Sequence, residues 1–301
     1  MAKTPIIIAV LGVALALLGT QISRTISENK KTRFDGTFES VAPDLWREGY
    51  HWVAMGGLMG VDVYVFLMRI DGGHILVDAG APTDEAADLL LNNLKKVMGD
   101  GELKLIVLTH GHPDHAGMLT TVAHAHPQAQ IAFHEDEAPF ILGQKAYGEL
   151  PADTLAFKAF SFNMPASNFS EAVPASRALL LRGKSGDLAD ARGPAGTAAK
   201  WLPPKGVISW HHVPGHAPGQ VAFIHKPSKS LLTADVISHM AFKKGEGPKP
   251  SLPPSAFSWN TTQGRLDALH LASLSFTRAY PSHDHAMGLS KTELDAFAAS
   301  L

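Results

Sequence analysis

The sequence has no cysteine and no excess of positive charge. Without cysteine there is no disulfide, no thiolate metal ligand, no cysteine nucleophile and no lipid anchor on a cysteine. With 26 basic against 28 acidic residues and no basic tract, the chain also lacks the electrostatic footprint of a nucleic-acid-binding protein. A metal site in this protein therefore depends on histidine, aspartate and glutamate.

The chain does have enough apolar residues for a large core. Its 301 residues are 45% hydrophobic, which is typical of one α/β domain with insertions. Apolar runs predict strands at 46–53, 61–68, 75–77, 103–108, 129–133, 207–213, 221–224 and 230–236. Helical spacing predicts helices after residue 83, at 118–123 and at 263–275. Residues 139–205 follow no regular pattern and are expected to form a variable cap or substrate-binding wall.

An apolar segment opens the chain. Its core, residues 6–18, is shorter than the roughly 20 residues of a spanning helix, so a signal peptide over residues 1–23 is the first interpretation. The protein would then be secreted or periplasmic. Neutral residues extend the segment to nearly the length of a span, and more positive charge follows it than precedes it, so an uncleaved membrane anchor is the alternative. A polar linker at 24–45 is expected to lead into a domain at 46–301.

Metal-ligand residue types are concentrated directly after the predicted strand at 103–108. Imidazole and carboxylate are the ligands that zinc and similar divalent metals prefer. Gly111 and Pro113 separate the side chains, which allows an extended loop to project them into a shared space. The residues of this cluster are His110, His112, Asp114 and His115.

Further histidines and carboxylates follow other predicted strands. They are Asp78, His216, Asp235 and His283. Because α/β folds gather ligand-binding groups at strand ends, we expect these side chains to meet the histidine cluster.

The remaining histidines are not expected to bind metal. His285 competes with His283 for one ligand position, and the strand-Pro-Ser step before His283 favours His283. His239 either lines the pocket or lies on a surface loop. The residues expected to be structural are His211 and His212, and those expected at the surface or at an edge are His124, His126 and His134.

In their order along the chain, these motifs resemble the metallo-β-lactamase superfamily from Asp78 to His283. The resemblance implies an αββα sandwich, in which two mixed β-sheets are flanked by helices. It also implies two metal sites that share Asp235, with Asp78 orienting a ligand. Their ligands would be His110, His112 and His216 around one ion, and Asp114, His115 and His283 around the other.

Two divalent ions, most simply zinc, would hold a bridging hydroxide and polarise a carbonyl or phosphoryl oxygen. Asp114 or Asp235 could relay a proton to the leaving group. True β-lactamases of this fold commonly place a cysteine where this chain has Asp235, which argues against antibiotic hydrolysis as the main task. The remaining pattern resembles the lactonase and glyoxalase II branches, which implies a small-molecule ester, lactone or thioester as substrate.

Two alternatives remain open at this point. One is an iron-dependent oxidoreductase similar to the persulfide dioxygenases, which use one iron on the same fold. The other is a β-lactam hydrolase. The expected partner is a small molecule rather than a nucleic acid, membrane attachment would run through the N-terminal segment, and the sequence carries no sign of an oligomeric state.

Overall fold

Two β-sheets face each other in the computed structural model, and helices cover both outer surfaces. The structure describes residues 20, 21, 23, 36–54, 59–82, 84–161, 168–241 and 246–301. The strands are β1 (Glu39–Ala42), β2 (Leu45–Ala54), β3 (Met59–Ile70), β4 (Gly73–Val77), β5 (Leu103–Val107), β6 (Gln130–His134), β7 (Ala178–Leu181), β8 (Ser185–Asp187), β9 (Ile208–His212), β10 (Val221–His225), β11 (Ser230–Ala234), β12 (Ser238–Met240), β13 (Lys249–Ser251), β14 (Arg278–Pro281) and β15 (Leu289–Ser290).

The α-helices are α1 (Asp84–Met98), α2 (Pro113–Ala116), α3 (Leu119–Ala125), α4 (Ala138–Ile141), α5 (Leu155–Ser161), α6 (Thr261–Ser273) and α7 (Lys291–Ala299). Single 3₁₀ turns span Glu135–Glu137, Tyr147–Glu149, Leu188–Asp190 and Pro194–Gly196.

Each of the two large sheets is mixed. The first has the order β1-β2-β3-β4-β5-β6-β7, antiparallel as far as β4 and parallel from β4 to β7. The second has the order β15-β14-β11-β10-β9-β8 and is parallel only between β11 and β14. This architecture confirms the predicted αββα sandwich.

Strand β3 shows how the sequence pattern creates the layers. Val63, Val65 and Leu67 pack in the core beneath helices α1 and α3, while Tyr64 and Phe66 pack between the sheets. Alternate residues of a strand point to opposite faces. Because both faces of this sheet are covered, apolar residues are required on both sides of β3.

The ends of several strands meet at one edge of the sandwich. Backbone hydrogen bonds join the two sheets there, from Tyr64 N–H to the Ser282 carbonyl at 2.8 Å and from Val221 N–H to the Thr109 carbonyl at 3.0 Å. Residues that follow β4, β5, β11 and β14 are consequently brought to the same edge.

The sandwich begins earlier than predicted. Strand β1 (Glu39–Ala42) pairs with β2, so the part of the predicted 24–45 linker near its end belongs to the first sheet. The strand is short and half-exposed, which leaves it without an apolar pattern that would identify it. Residues 24–35 of the predicted linker lie outside the described residues, as does nearly all of the predicted signal or anchor segment at 1–23. Among the residues that the structure describes, no helix has the length and apolar character needed to span a bilayer.

The predicted cap at 139–205 is partly an integral piece of the sandwich and partly a separate group of short helices. Strand β7 extends the first sheet and β8 extends the second, so this part of the region belongs to the sandwich itself. The part up to residue 161 contains the short helices α4 and α5. Strands β7 and β8 were not predicted because each is too short to show the alternation of apolar and polar residues that identifies a strand.

Candidate metal centre

The predicted metal ligands lie together at the edge where the strand ends meet. The β5–α2 loop contributes His110 and His112, and helix α2 contributes Asp114 and His115. The β9–β10 loop contributes His216, and Asp235 and His283 follow β11 and β14. All of them are at most 8% exposed, although they are polar or charged. Buried groups of this kind require partners or a bound ion.

Three imidazole nitrogens converge on one point. His112 Nδ1 lies 3.0 Å from His110 Nε2 and 2.9 Å from His216 Nε2. Tetrahedral zinc with bonds of roughly 2.0–2.1 Å would hold its nitrogen ligands about 3.3 Å apart, so a small outward shift would accommodate an ion. We call these residues the three-histidine set.

The electrostatic environment keeps the three-histidine set uncharged. Burial, reinforced by the neighbouring imidazole of His216, lowers the pKa of His112 to about 3. Burial lowers the pKa of His216 to about 4, and it also holds the pKa of His110 well below its usual range. Neutral imidazoles present lone pairs, as metal binding requires.

A second set of ligands adjoins the first. His283 Nε2 lies 3.5 Å from Asp114 Oδ2, and His115 Nε2 lies 3.8 Å from the same oxygen. Asp235 closes this set, with its Oδ1 3.3 Å from His115 Nε2. Both atoms are buried, and apart from this ion-pair contact neither has a hydrogen-bond partner within the described part of the chain. The nitrogen and oxygen donors of this set fit a divalent cation. We call Asp114, His115 and His283 the mixed set.

Asp235 lies between the two sets. Its Oδ2 is 3.4 Å from His216 Nε2 of the three-histidine set and 3.1 Å from His283 Nε2 of the mixed set. One carboxylate oxygen thus approaches ligands of both candidate ions, which is the position predicted for Asp235.

The histidines of the mixed set are oriented from behind. His115 Nδ1 donates to Asp78 Oδ2 at 2.9 Å, and Thr109 donates to both Asp78 oxygens, at 2.7 Å from its N–H and 2.8 Å from its hydroxyl. His283 Nδ1 donates to the Asp62 carbonyl at 2.7 Å. Each bond fixes the tautomer that leaves Nε2 free for a metal. Asp78 therefore lies where the sequence placed an orienting carboxylate.

The mixed set is highly charged before any ion binds. Burial alone would lower the pKa of His283, but the carboxylates of Asp235 and Asp114 raise it to about 10. Burial would likewise raise the pKa of Asp114, but His115 and His283 lower it to about 2. The imidazoles of this set are consequently protonated at neutral pH.

The neighbouring histidines have different positions. His285 Nε2 lies 3.1 Å from Asp62 Oδ2, so His285 contacts the support of His283 and does not join the mixed set. His239 is buried, with Nδ1 2.9 Å from Asp284 Oδ1, which excludes the surface-loop alternative. Asp284 also pairs with Arg47 at 2.8 Å. Sequence reasoning missed this support for the His283 loop because nothing local links Arg47 to Asp284.

The prediction that His134 lies at the surface or an edge is wrong. His134 is 2% exposed and stacks on His212, with ring centroids 3.8 Å apart and planes 12° apart. Asp136 lies beside both rings. Two parallel rings cannot both direct in-plane lone pairs at one ion, and His212 Nε2 already donates to the Pro218 carbonyl at 2.8 Å. This cluster is therefore a packing feature, as predicted for His212.

Replacing Asp78 by asparagine tests the orienting role. Asn keeps the shape and tolerates the left-handed backbone of residue 78, where φ is 62°. Its amide has only one oxygen, however, and cannot accept hydrogen bonds at both positions as the carboxylate does. We expect roughly 10–100-fold weaker zinc binding at the mixed set, measured by competition with a chromophoric chelator. The exposed carboxylate of Asp190 provides a control, Asp190→Asn. Equal affinities in Asp78→Asn and the control would contradict the role.

Metal binding to the mixed set should release protons. The raised pKa of about 10 for His283 means that its imidazole is protonated at pH 7 and must lose the proton to an ion. The pKa of His115 is also raised well above its usual range by Asp235 and Asp114, against the effect of burial. Affinity should therefore rise with pH until about pH 10.

Isothermal titration in buffers of different protonation enthalpy measures this release. We expect about two protons from the imidazoles of the mixed set and none from those of the three-histidine set, whose pKa values are lowered. His283→Ala, which keeps the three-histidine set but removes one protonated imidazole, should release at least one proton fewer than the unmodified protein. A buffer-independent heat in the unmodified protein would contradict the expectation.

Known proteins resemble this chain along most of its length. The family model described as the metallo-beta-lactamase superfamily matches residues 58–283, a range that contains both ligand sets. The probable metallo-hydrolase YflN of Bacillus subtilis (strain 168) is 25% identical over 240 residues, covering 76% of this chain and 84% of that protein.

Solved structures share the fold at lower identity. A metallo-beta-lactamase family protein from Thermus thermophilus is 22% identical, with a TM-score of 0.55, and the match covers 87% of this chain and 80% of that one. The metallo-beta-lactamase FIM-1 from Pseudomonas aeruginosa, solved in a mono-zinc form, is 15% identical, with a TM-score of 0.56 and coverage of 89% and 96%. With its fold, its two ligand sets and the match over residues 58–283, the chain belongs to the metallo-β-lactamase superfamily.

Proposed function

We propose that this protein is a hydrolase that binds two divalent metal ions, zinc in its working form, and cleaves a small-molecule ester, lactone or thioester. The observation that carries the proposal is the position of Asp235, whose Oδ2 lies within 3.4 Å of a ligand nitrogen in each set. Two complete sets that share one carboxylate suit a pair of ions better than a single ion.

The donor set favours zinc. Imidazole nitrogens and carboxylate oxygens are zinc ligands, and the tight convergence of three nitrogens suits its tetrahedral preference. The mono-zinc form of FIM-1 supports zinc as a metal that this fold accommodates.

The residues of the two sets would have different roles in catalysis. The three-histidine set would hold one ion, the mixed set the other, and Asp235 both. When bound, such a pair of ions polarises a carbonyl oxygen and lowers the pKa of a bound water. Asp114 has the more accessible carboxylate, with 12% of its side chain exposed against 6% for Asp235. We assign the transfer of a proton to the leaving group to Asp114, with Asp235 as the alternative.

The surroundings favour an uncharged carbonyl substrate. An aromatic cluster packs behind the three-histidine set, where Tyr147 stacks on Phe140 with centroids 4.6 Å apart and lies edge-on to His112 at 4.5 Å. Phe157 and Trp259 belong to the same cluster. No basic tract suited to a phosphate-rich substrate occurs in the sequence. These features support the lactonase-like and glyoxalase II-like interpretation.

A metal and substrate panel tests the proposal. The purified chain is stripped with a chelator and reloaded with zinc, iron or manganese, and each form is assayed with a lactone, a thioester, a carboxylic ester, a β-lactam and a phosphodiester. We expect two zinc ions per chain and fastest turnover of a lactone, ester or thioester. One iron per chain with oxygen consumption would overturn the proposal in favour of an oxidoreductase. Preferred cleavage of the β-lactam would overturn the substrate assignment.

Substitution of Asp235 tests the shared ligand. Asp235→Ala removes the oxygen that both sets approach, so we expect the metal content to fall by one ion. Turnover should fall roughly a hundredfold or more, the scale of losing a principal electrostatic contact in a transition state. Asp190→Ala, at an exposed ion pair with Lys205, is the matched control. Full activity in Asp235→Ala, with an unchanged circular dichroism spectrum, would show that Asp235 is not shared.

A further inference from the structure

Glu137 is a fully buried carboxylate close to the three-histidine set. It is 0% exposed and ends the 3₁₀ turn Glu135–Glu137 after β6. It forms no ion pair with any residue that the structure describes. Instead it accepts hydrogen bonds at both oxygens, which is the usual requirement for burying a carboxylate without a cation.

The hydrogen bonds of Glu137 reach two different ligand loops. Oε1 accepts the Gly111 N–H at 2.9 Å, and Gly111 separates two ligands of the three-histidine set. Oε2 accepts the Gly219 N–H at 2.7 Å in the β9–β10 loop, which supplies the third ligand. One side chain therefore connects a loop of the first sheet to a loop of the second.

Tyr147 adds a second element to this connection. Its hydroxyl donates to Glu137 Oε1 and accepts the Gly111 N–H at 3.1 Å. Its ring lies edge-on to His112, with centroids 4.5 Å apart at 66°. The same pair of residues thus contacts both the backbone and the imidazole of the His112 loop.

Two ligands of the three-histidine set lack the usual support. His112 Nε2 and His216 Nδ1, the nitrogens facing away from the metal point, are buried and form no hydrogen bond within the described residues. Metal-binding histidines ordinarily donate this second N–H to a carboxylate, a carbonyl or water. The orientation of these two rings must therefore come from packing and from the backbone that carries them, which is the backbone that Glu137 holds.

Both anchor points must be glycine for the carboxylate to approach. A Cβ on Gly111 would lie 2.8 Å from the Tyr147 hydroxyl, and one on Gly219 would lie 2.7 Å from the Glu137 Cα. Any side chain at either position would displace Glu137 or Tyr147.

We propose that Glu137 is a positioning residue that sets the geometry of the three-histidine set by clamping its two ligand loops together. The inference rests on the proposed two-metal function. Glu137 acts through Gly111 and Gly219 and contacts neither an ion nor a substrate.

Glu137→Gln tests the clamp with almost no change in shape. A glutamine amide has one oxygen and one NH₂ group, so in either orientation an N–H of the chain would face another N–H. Zinc affinities are measured by chelator competition, and cobalt(II) absorption assigns each binding step to its ligand set. We expect roughly 10–100-fold weaker binding at the three-histidine set, the usual effect of losing an outer partner, and unchanged binding at the mixed set.

The matched control is Glu135→Gln in the same turn. The Glu135 side chain is 43% exposed and pairs with Arg182 at 3.5 Å, away from both loops. The zinc affinities of Glu135→Gln should therefore equal those of the unmodified protein. Affinity at the mixed set reports whether each variant is folded. If Glu137→Gln does not fold, Tyr147→Phe carries the test, because it deletes only the hydroxyl and should selectively weaken the three-histidine set.

The outcomes separate this inference from the proposed function. Equal weakening of both sets would indicate general destabilisation and overturn the clamp. Two zinc ions bound by Glu137→Gln with the affinities of the unmodified protein would also overturn it. If Tyr147→Phe is used in place of Glu137→Gln, an unchanged zinc affinity at the three-histidine set would overturn the clamp in the same way. Fewer than two zinc ions bound by the unmodified protein would instead contradict the two-metal function on which the inference rests.

Discussion

Two backbone hydrogen bonds between the sheets hold together the edge on which the site depends. The bonds from Tyr64 to Ser282 and from Val221 to Thr109 align the ends of strands that are far apart in the sequence. Because α/β folds gather side chains at strand ends, this alignment brings the ligand loops within a few ångströms of each other. The apolar layers on either side of each sheet make the alignment rigid, since close-packed interiors deform little.

The two ligand sets differ in charge although they are neighbours. Burial among other imidazoles keeps the three-histidine set neutral, with the pKa of His112 lowered to about 3. Carboxylates in the mixed set outweigh the same burial and raise the pKa of His283 to about 10. An ion would therefore enter the three-histidine set without displacing protons from its imidazoles and would compete with protons in the mixed set. Asp235 lies between these two environments.

Each set is supported from behind in a different way. In the mixed set, Asp78 and the Asp62 carbonyl bind the outer nitrogens of the histidines directly. In the three-histidine set, His112 and His216 form no such bonds with the described part of the chain, and Glu137 holds the loops that carry them. A hydrogen bond to the outer nitrogen of a histidine fixes the orientation of that one ring, whereas a clamp on the backbone sets the distance between two loops.

The resemblance to the metallo-β-lactamase superfamily implied the αββα sandwich. Local patterns in the sequence were sufficient for the alternating faces of β3 and for the ligand candidates, because strand periodicity and ligand chemistry are properties of neighbouring residues. They failed for β1, β7 and β8, which are too short to show a period, and for His134, whose burial depends on stacking against His212. The clamp of Glu137 was equally invisible, since Glu137 is 26 positions away from Gly111 and 82 positions away from Gly219 in the sequence. The sequence by itself determined which side chains can bind a metal. Only the tertiary structure decided how close these side chains lie to one another and what holds them in place, because those distances depend on how two sheets pack against each other.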